Sequence, residues 1–136
     1  MDFWKMHGLG NDYIVIDNRD QKITDAYSAE LAKKICERRF SVGADGLLLV
    51  SKSIVADVKM RIFNADGSEA EMCGNGIRCF SKYCYENGIA KRAEFSIETL
   101  SGIKHVWLNL KGTEVVAVKV DMGKPNWARS SLPMKG

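Results

Sequence analysis

The chain has 136 residues, 46% of them hydrophobic and 27% charged, with a formal net charge of +3. That length allows one compact domain with a real core and is short for two. The small charge, with Lys and Arg scattered and never interleaved with aromatics, argues against nucleic acid as a partner. The wholly apolar runs, such as Leu47-Leu48-Leu49-Val50, are far too short to span a membrane, so no membrane association is expected. Met1-Asp2-Phe3-Trp4-Lys5 lacks a charged leader followed by an apolar core, which makes a cytoplasmic protein the expectation.

In chain order, Trp4 to Asp17 reads as two strands around a glycine-rich corner, with Tyr13 to Ile16 a buried β-branched run. Ser28 to Arg39 is predicted as a helix, since Leu31, Ala32 and Ile35 follow its period and Arg38 and Arg39 suit its negative end. Gly43-Ala44-Asp45-Gly46 turns into a strand over Leu47 to Val50. Val58 to Phe63 alternates as a strand, Asn64-Ala65-Asp66-Gly67 supplies a hairpin turn, and Glu69 to Cys73 runs back. A helix opens at Gly74, with Ile77, Phe80 and Cys84 at helical spacing and Asn87-Gly88 as its stop. Three strands follow as a meander: Glu94 to Thr99, Lys104 to Leu110 and Glu114 to Asp121. The order β, β, α, β, β, β, α, β, β, β predicts an α+β fold with a largely antiparallel sheet. Residues 1–122 form the expected lobe, and 123–136, with both prolines and no periodicity, read as a linker toward a missing second lobe.

Cysteines at 36, 73, 79 and 84 contain no Cys-x-x-Cys, and His7 and His105 lie far from them, so no zinc site is expected. On one helix Cys73 and Cys79 would be ~9 Å apart along the axis and Cys79 and Cys84 ~7.5 Å. Both exceed the ~7 Å span of a disulfide, and reduced thiols are the simpler account. Gly8-Leu9-Gly10 and Gly74-Asn75-Gly76 lack the further residues of a dinucleotide or P-loop fingerprint.

The most informative stretch runs from Phe63 to Cys79. Cys73 directly precedes Gly74-Asn75-Gly76, where strand and turn hand over to a helix. A thiol there meets outward N–H groups and the positive end of the dipole, both of which favour the thiolate. The same donors suit a carboxylate held beside it. Cys36, Cys79 and Cys84 instead read as small buried hydrophobes. Asn11, Asn64 and Asn75 each lie in a glycine-bearing turn beside a strand end, a place equally suited to plain turn duty and to holding a polar ligand.

These residues carry a resemblance. Met6-His7-Gly8-Leu9-Gly10-Asn11-Asp12-Tyr13, together with Phe63-Asn64-Ala65-Asp66-Gly67-Ser68-Glu69 and Met72-Cys73-Gly74-Asn75-Gly76-Ile77-Arg78-Cys79, resembles the N-terminal half of the diaminopimelate epimerase family. The related proline racemase and phenazine-pathway isomerase folds have motifs less like these. The resemblance implies strands wrapped around a central helix in each of two similar lobes. It implies a cofactor-independent epimerase that interconverts LL- and meso-2,6-diaminopimelate, using two cysteines on opposite faces of the α-carbon. Cys73 matches the first of these, and Asn11, Asn64, Gly74 and Asn75 match substrate-binding positions. The implied partners are diaminopimelate and a C-terminal lobe with the second cysteine; an exposed lobe interface would separately favour self-association as a homodimer. Some family members carry Gln at Gly46, after Asp45. Cys79, six residues on from Cys73, is turned ~240° away along the helix and does not oppose it. Two other classes are compatible with these residues: a non-catalytic amino-acid-binding lobe, and a redox protein sensing through Cys73.

Overall fold

A computed structural model describes residues 3–7, 10–37, 43–71 and 74–121. Ten elements follow in the expected order: β1 (Trp4–His7), β2 (Asp12–Asp17), α1 (Asp25–Ile35), β3 (Gly46–Ser51), β4 (Val58–Asn64), β5 (Glu69–Ala70), α2 (Gly74–Glu86), β6 (Glu94–Thr99), β7 (Gly102–Lys111) and β8 (Glu114–Asp121). The expected linker, residues 123–136, lies outside the described residues. Among the described residues no helix is long and apolar enough to cross a membrane.

The strands form one mixed sheet in the order β1-β2-β3-β4-β6-β7-β8, with β5 paired to β4. Most neighbours are antiparallel, as expected, while β2–β3 and β4–β6 are parallel. A parallel pair needs a crossover, and each helix serves as one. The two helices cover opposite faces of the sheet, and β3 shows why its sequence is an unbroken apolar run. Leu48 and Val50 enter the core with Ile77 and Phe80 of α2, whereas Leu47 and Leu49 enter the one with Leu31, Ala32 and Ile35 of α1. A strand buried on both faces has no polar side to show. In β6 only Phe95 and Ile97 join a core, that of α2, so the strand alternates. The sheet curls as a half-barrel about α2, which touches β2, β3, β4, β7 and β8.

Helix α1 starts three residues earlier than its pattern predicts. Thr24 is the N-cap, its hydroxyl accepting from the Tyr27 N–H at 3.2 Å, and Asp25 lies in the first turn. Ser28 is inside the helix and buried, its hydroxyl donating to the Thr24 carbonyl at 2.9 Å. Lys33 and Lys34 occupy the last turn, and Cys36 is the C-cap. Arg38 and Arg39, predicted to end this helix, lie outside the described residues.

The turn between β4 and β5 forms as its chemistry requires. The Asn64 N–H donates to the Ser68 carbonyl at 2.7 Å and the Gly67 N–H to the Asn64 carbonyl at 2.9 Å, with Gly67 at φ +91°.

Candidate functional site

Sheet register brings two predicted positions, with Gly46 between them, to one end of the molecule. Tyr13 at the start of β2 is opposite Gly46 in β3, and Gly46 is opposite Asn64 at the end of β4. Asn11, Gly46 and Asn64 therefore sit at three adjacent strand ends, spanning roughly 10 Å at ~4.8 Å per strand. Helix α2 begins at the same end, because the Asn75 side-chain Nδ2 donates to Asn11 Oδ1 at 3.0 Å across 64 residues of sequence.

The start of α2 suits an anion. The first turn of an α-helix directs N–H groups past its end, where the dipole is positive. No acidic residue lies in that turn. Among the described residues other than its chain neighbours, a Cβ on Gly74 would meet only the Arg78 Nη1, at 3.7 Å, which sets a guanidinium beside the first helical residue.

The other predicted residues divide by what holds them. The exposed Asn64 donates from Nδ2 to Ser68 Oγ at 3.0 Å, serving its own turn while staying at the rim of the site. Gly46 has a packing reason of its own. A Cβ there would lie 3.1 Å from the Phe63 carbonyl oxygen and 3.3 Å from the Tyr13 ring, so a longer side chain requires both neighbours to yield. Cys73, the predicted proton-transferring thiol, lies outside the described residues, one position before α2. Cys36, Cys79 and Cys84 are buried, at 4%, 5% and 0% exposed, as their apolar neighbours predict. Burial pushes the Cys84 thiol far above its ordinary range, with the nearby Asp17 charge adding to the shift.

One group was missed in the sequence. The Asp12 N–H donates to Asp45 Oδ2 at 2.7 Å, and the Asp45 N–H donates to the Asp12 carbonyl at 2.9 Å. The Asp12 carboxylate accepts from His7 Nδ1 at 2.5 Å and faces Lys5 Nζ at 3.9 Å. The available signal was the position of Asp45 one residue before β3, where a carboxylate meets the strand end beside it. Among the described residues no group of three His, Cys, Asp or Glu side chains is arranged to hold a metal ion.

Comparison with known proteins agrees with the motif resemblance. A family model described as diaminopimelate epimerase matches residues 3–128. The diaminopimelate epimerase of Moorella thermoacetica is 52% identical over 136 residues, 100% of this chain and 48% of that protein. That of Methanothermobacter thermautotrophicus is 52% identical over 134 residues, 97% of this chain and 47% of the relative. The chain thus spans about half the length of the curated relatives it matches. Among solved structures, a phenazine biosynthesis protein of the PhzF family from Bacillus anthracis is 26% identical with a TM-score of 0.62, over 83% of this chain and 36% of that one. A hydroxyproline epimerase from Agrobacterium vitis, solved with bound trans-4-hydroxy-L-proline, shares the fold at 18% identity and a TM-score of 0.68, over 87% of this chain and 40% of its own.

Proposed function

We propose, for a chain that belongs to the diaminopimelate epimerase family, that it supplies one lobe and one of two catalytic cysteines for the cofactor-independent interconversion of LL- and meso-2,6-diaminopimelate. Cys73 is the proton carrier on one face of the α-carbon. Gly74 and Asn75, at the start of α2, hold the adjoining carboxylate, and Asn11 and Asn64 bind the remaining polar groups. The supporting observation is the Asn75–Asn11 bond at a helix start with no acidic residue in its first turn.

The chemistry explains both the donors and the need for a partner. An α-proton beside a carboxylate is far less acidic than a thiol, so negative charge building on that carboxylate must be met by fixed N–H groups. Inversion also needs a proton carrier on the opposite face. Cys36, Cys79 and Cys84 are buried in the two cores, which leaves the second carrier to come from a further lobe. On this reading residues 1–122 are the Cys73 lobe and 123–136 lead toward the other. One lobe alone leaves the reacting carbon open to water, where those donors are worth less.

The test is solvent deuterium incorporation at the α-carbon of LL-diaminopimelate, with stereochemistry scored alongside and binding measured by calorimetry. The chain alone is expected to bind either isomer and to invert little or none of it. Cys73→Ser should keep that binding and lose any residual exchange. Rapid inversion by the verified 136-residue chain refutes the half-site reading, and absence of binding by both isomers refutes the substrate assignment.

A further inference from the structure

We propose that Asp45 is a positioning residue, clamping residue 12 from both sides and so holding Asn11 against Asn75. Its role as an aid to substrate rests on the reading of Asn11 and Asn75 given above, while the clamp itself stands on geometry alone. The parallel ladder between β2 and β3 ends at the Tyr13–Gly46 pair. One residue further out, Asp12 still pairs with His7 of β1, while on its other side the β3 ladder has ended and the strand acceptor for its N–H must be replaced by a side chain. The Asp45 carboxylate takes that place, accepting the Asp12 N–H at 2.7 Å, while the Asp45 N–H returns a bond to the Asp12 carbonyl at 2.9 Å. The two bonds fix the peptide planes on either side of residue 12.

Asn11 is the next residue outward, and its Oδ1 is the acceptor for Asn75. A carboxylate is the strong form of such an acceptor, because charge roughly doubles a hydrogen bond's strength. Asp45 is itself anchored, since Gly46 beside it is paired on both sides, with Tyr13 of β2 and with Asn64 of β4. The clamp therefore refers the position of Asn11 to the rigid β3, and through Asn11 to the start of α2. Asp45 touches no reacting atom in this scheme, and its effect passes through the backbone of Asp12.

The experiment compares Asp45→Ala, which deletes the acceptor, with Asp45→Asn, which keeps a carbonyl oxygen at the same reach. The mass of the second variant is verified, since an Asn–Gly step deamidates. Amide exchange and chemical shift are read by NMR on the Asp12 backbone N–H and the Asn75 side-chain amide, with no substrate present. In Asp45→Ala both amides should exchange about 10-fold faster and the Asn75 side-chain shift should move toward that of a free amide, whereas Asp45→Asn should stay within about 3-fold of the parent. Where the parent binds diaminopimelate, Kd should rise about 10-fold in Asp45→Ala and recover in Asp45→Asn. If Asp45→Ala does not fold, Asp45→Ser, which removes the charge and shortens the reach, carries the same expectation. An unchanged Asn75 amide in the acceptor-free variant overturns the proposal, as does equal loss in both variants. A parent that binds no diaminopimelate counts against the substrate reading alone, because the exchange measurement needs no ligand.

Discussion

Replacing Gly67 by Ala tests how the turn that carries Asn64 is fastened to the rest of the fold. Gly67 has φ +91°, where an L-residue pays about 1–2 kcal/mol in backbone strain. The added Cβ would also lie 2.8 Å from the Lys33 Cε and 3.0 Å from the Ala29 carbonyl oxygen. The lysine stem swings aside at little cost, but the carbonyl belongs to the backbone of α1 and must be displaced, adding about 1–2 kcal/mol. The sum is about 2–4 kcal/mol. Gly88→Ala separates the two contributions, because Gly88 has φ +74° and a Cβ there meets nothing within 4 Å. Urea denaturation followed by circular dichroism should show Gly67→Ala as the more destabilised of the pair by about 1–2 kcal/mol, with equal m-values. Two variants equal to within about 0.5 kcal/mol refute the claim that the turn is pressed against α1.

Two further outcomes are expected. In Cys73→Ser the three remaining thiols are buried, so a thiol reagent should label almost none of the native protein within the time that labels all three in urea. Fast labelling of Cys79 or Cys36 counts against their placement in the core. The Arg19 side chain bonds the Asp17 carboxylate in a bidentate pair at 2.9 and 2.8 Å and holds its pKa below the ordinary range. Its stabilisation is then complete above the unfolded carboxylate pKa and fades as pH falls through the lower, folded one. Asp17→Asn should cost under about 1 kcal/mol at pH 7, since the pair is largely solvated, and the difference from the parent should vanish in acid. A cost that persists unchanged at pH 2 contradicts this account.

Local signals carried most of the fold. The period of Ile77, Phe80 and Cys84, the Asp66-Gly67 turn and the alternation of Val58 to Phe63 each act over a few residues, and each element they predict is present. The predicted start of α1 falls three residues late because the apolar period begins only at Leu31, whereas Thr24 caps the helix and Ser28 is buried inside it. The parallel pairings of β2 with β3 and β4 with β6 left no local trace, since they depend on where each helix delivers the chain. The site was legible in part for the same reason. Asn11 and Asn75 stood out by their glycine neighbours, but their contact is a product of tertiary structure, as is the reciprocal bonding of Asp12 with Asp45.

The placement of α2 between two walls also orders the birth of the molecule. Its buried face meets Val15 and Leu48, which precede it in the chain, and Val106, Leu108 and Val115, which follow it. On the ribosome the helix emerges with only the first wall made, leaving part of that apolar face wet until β7 and β8 have left the exit tunnel. The long loops closed in that step favour millisecond-to-second folding over the microsecond regime of helical bundles. The nascent chain therefore exposes part of the apolar face around Phe80 from the emergence of α2 until β7 and β8 follow, and α2 gains its rigid seat last.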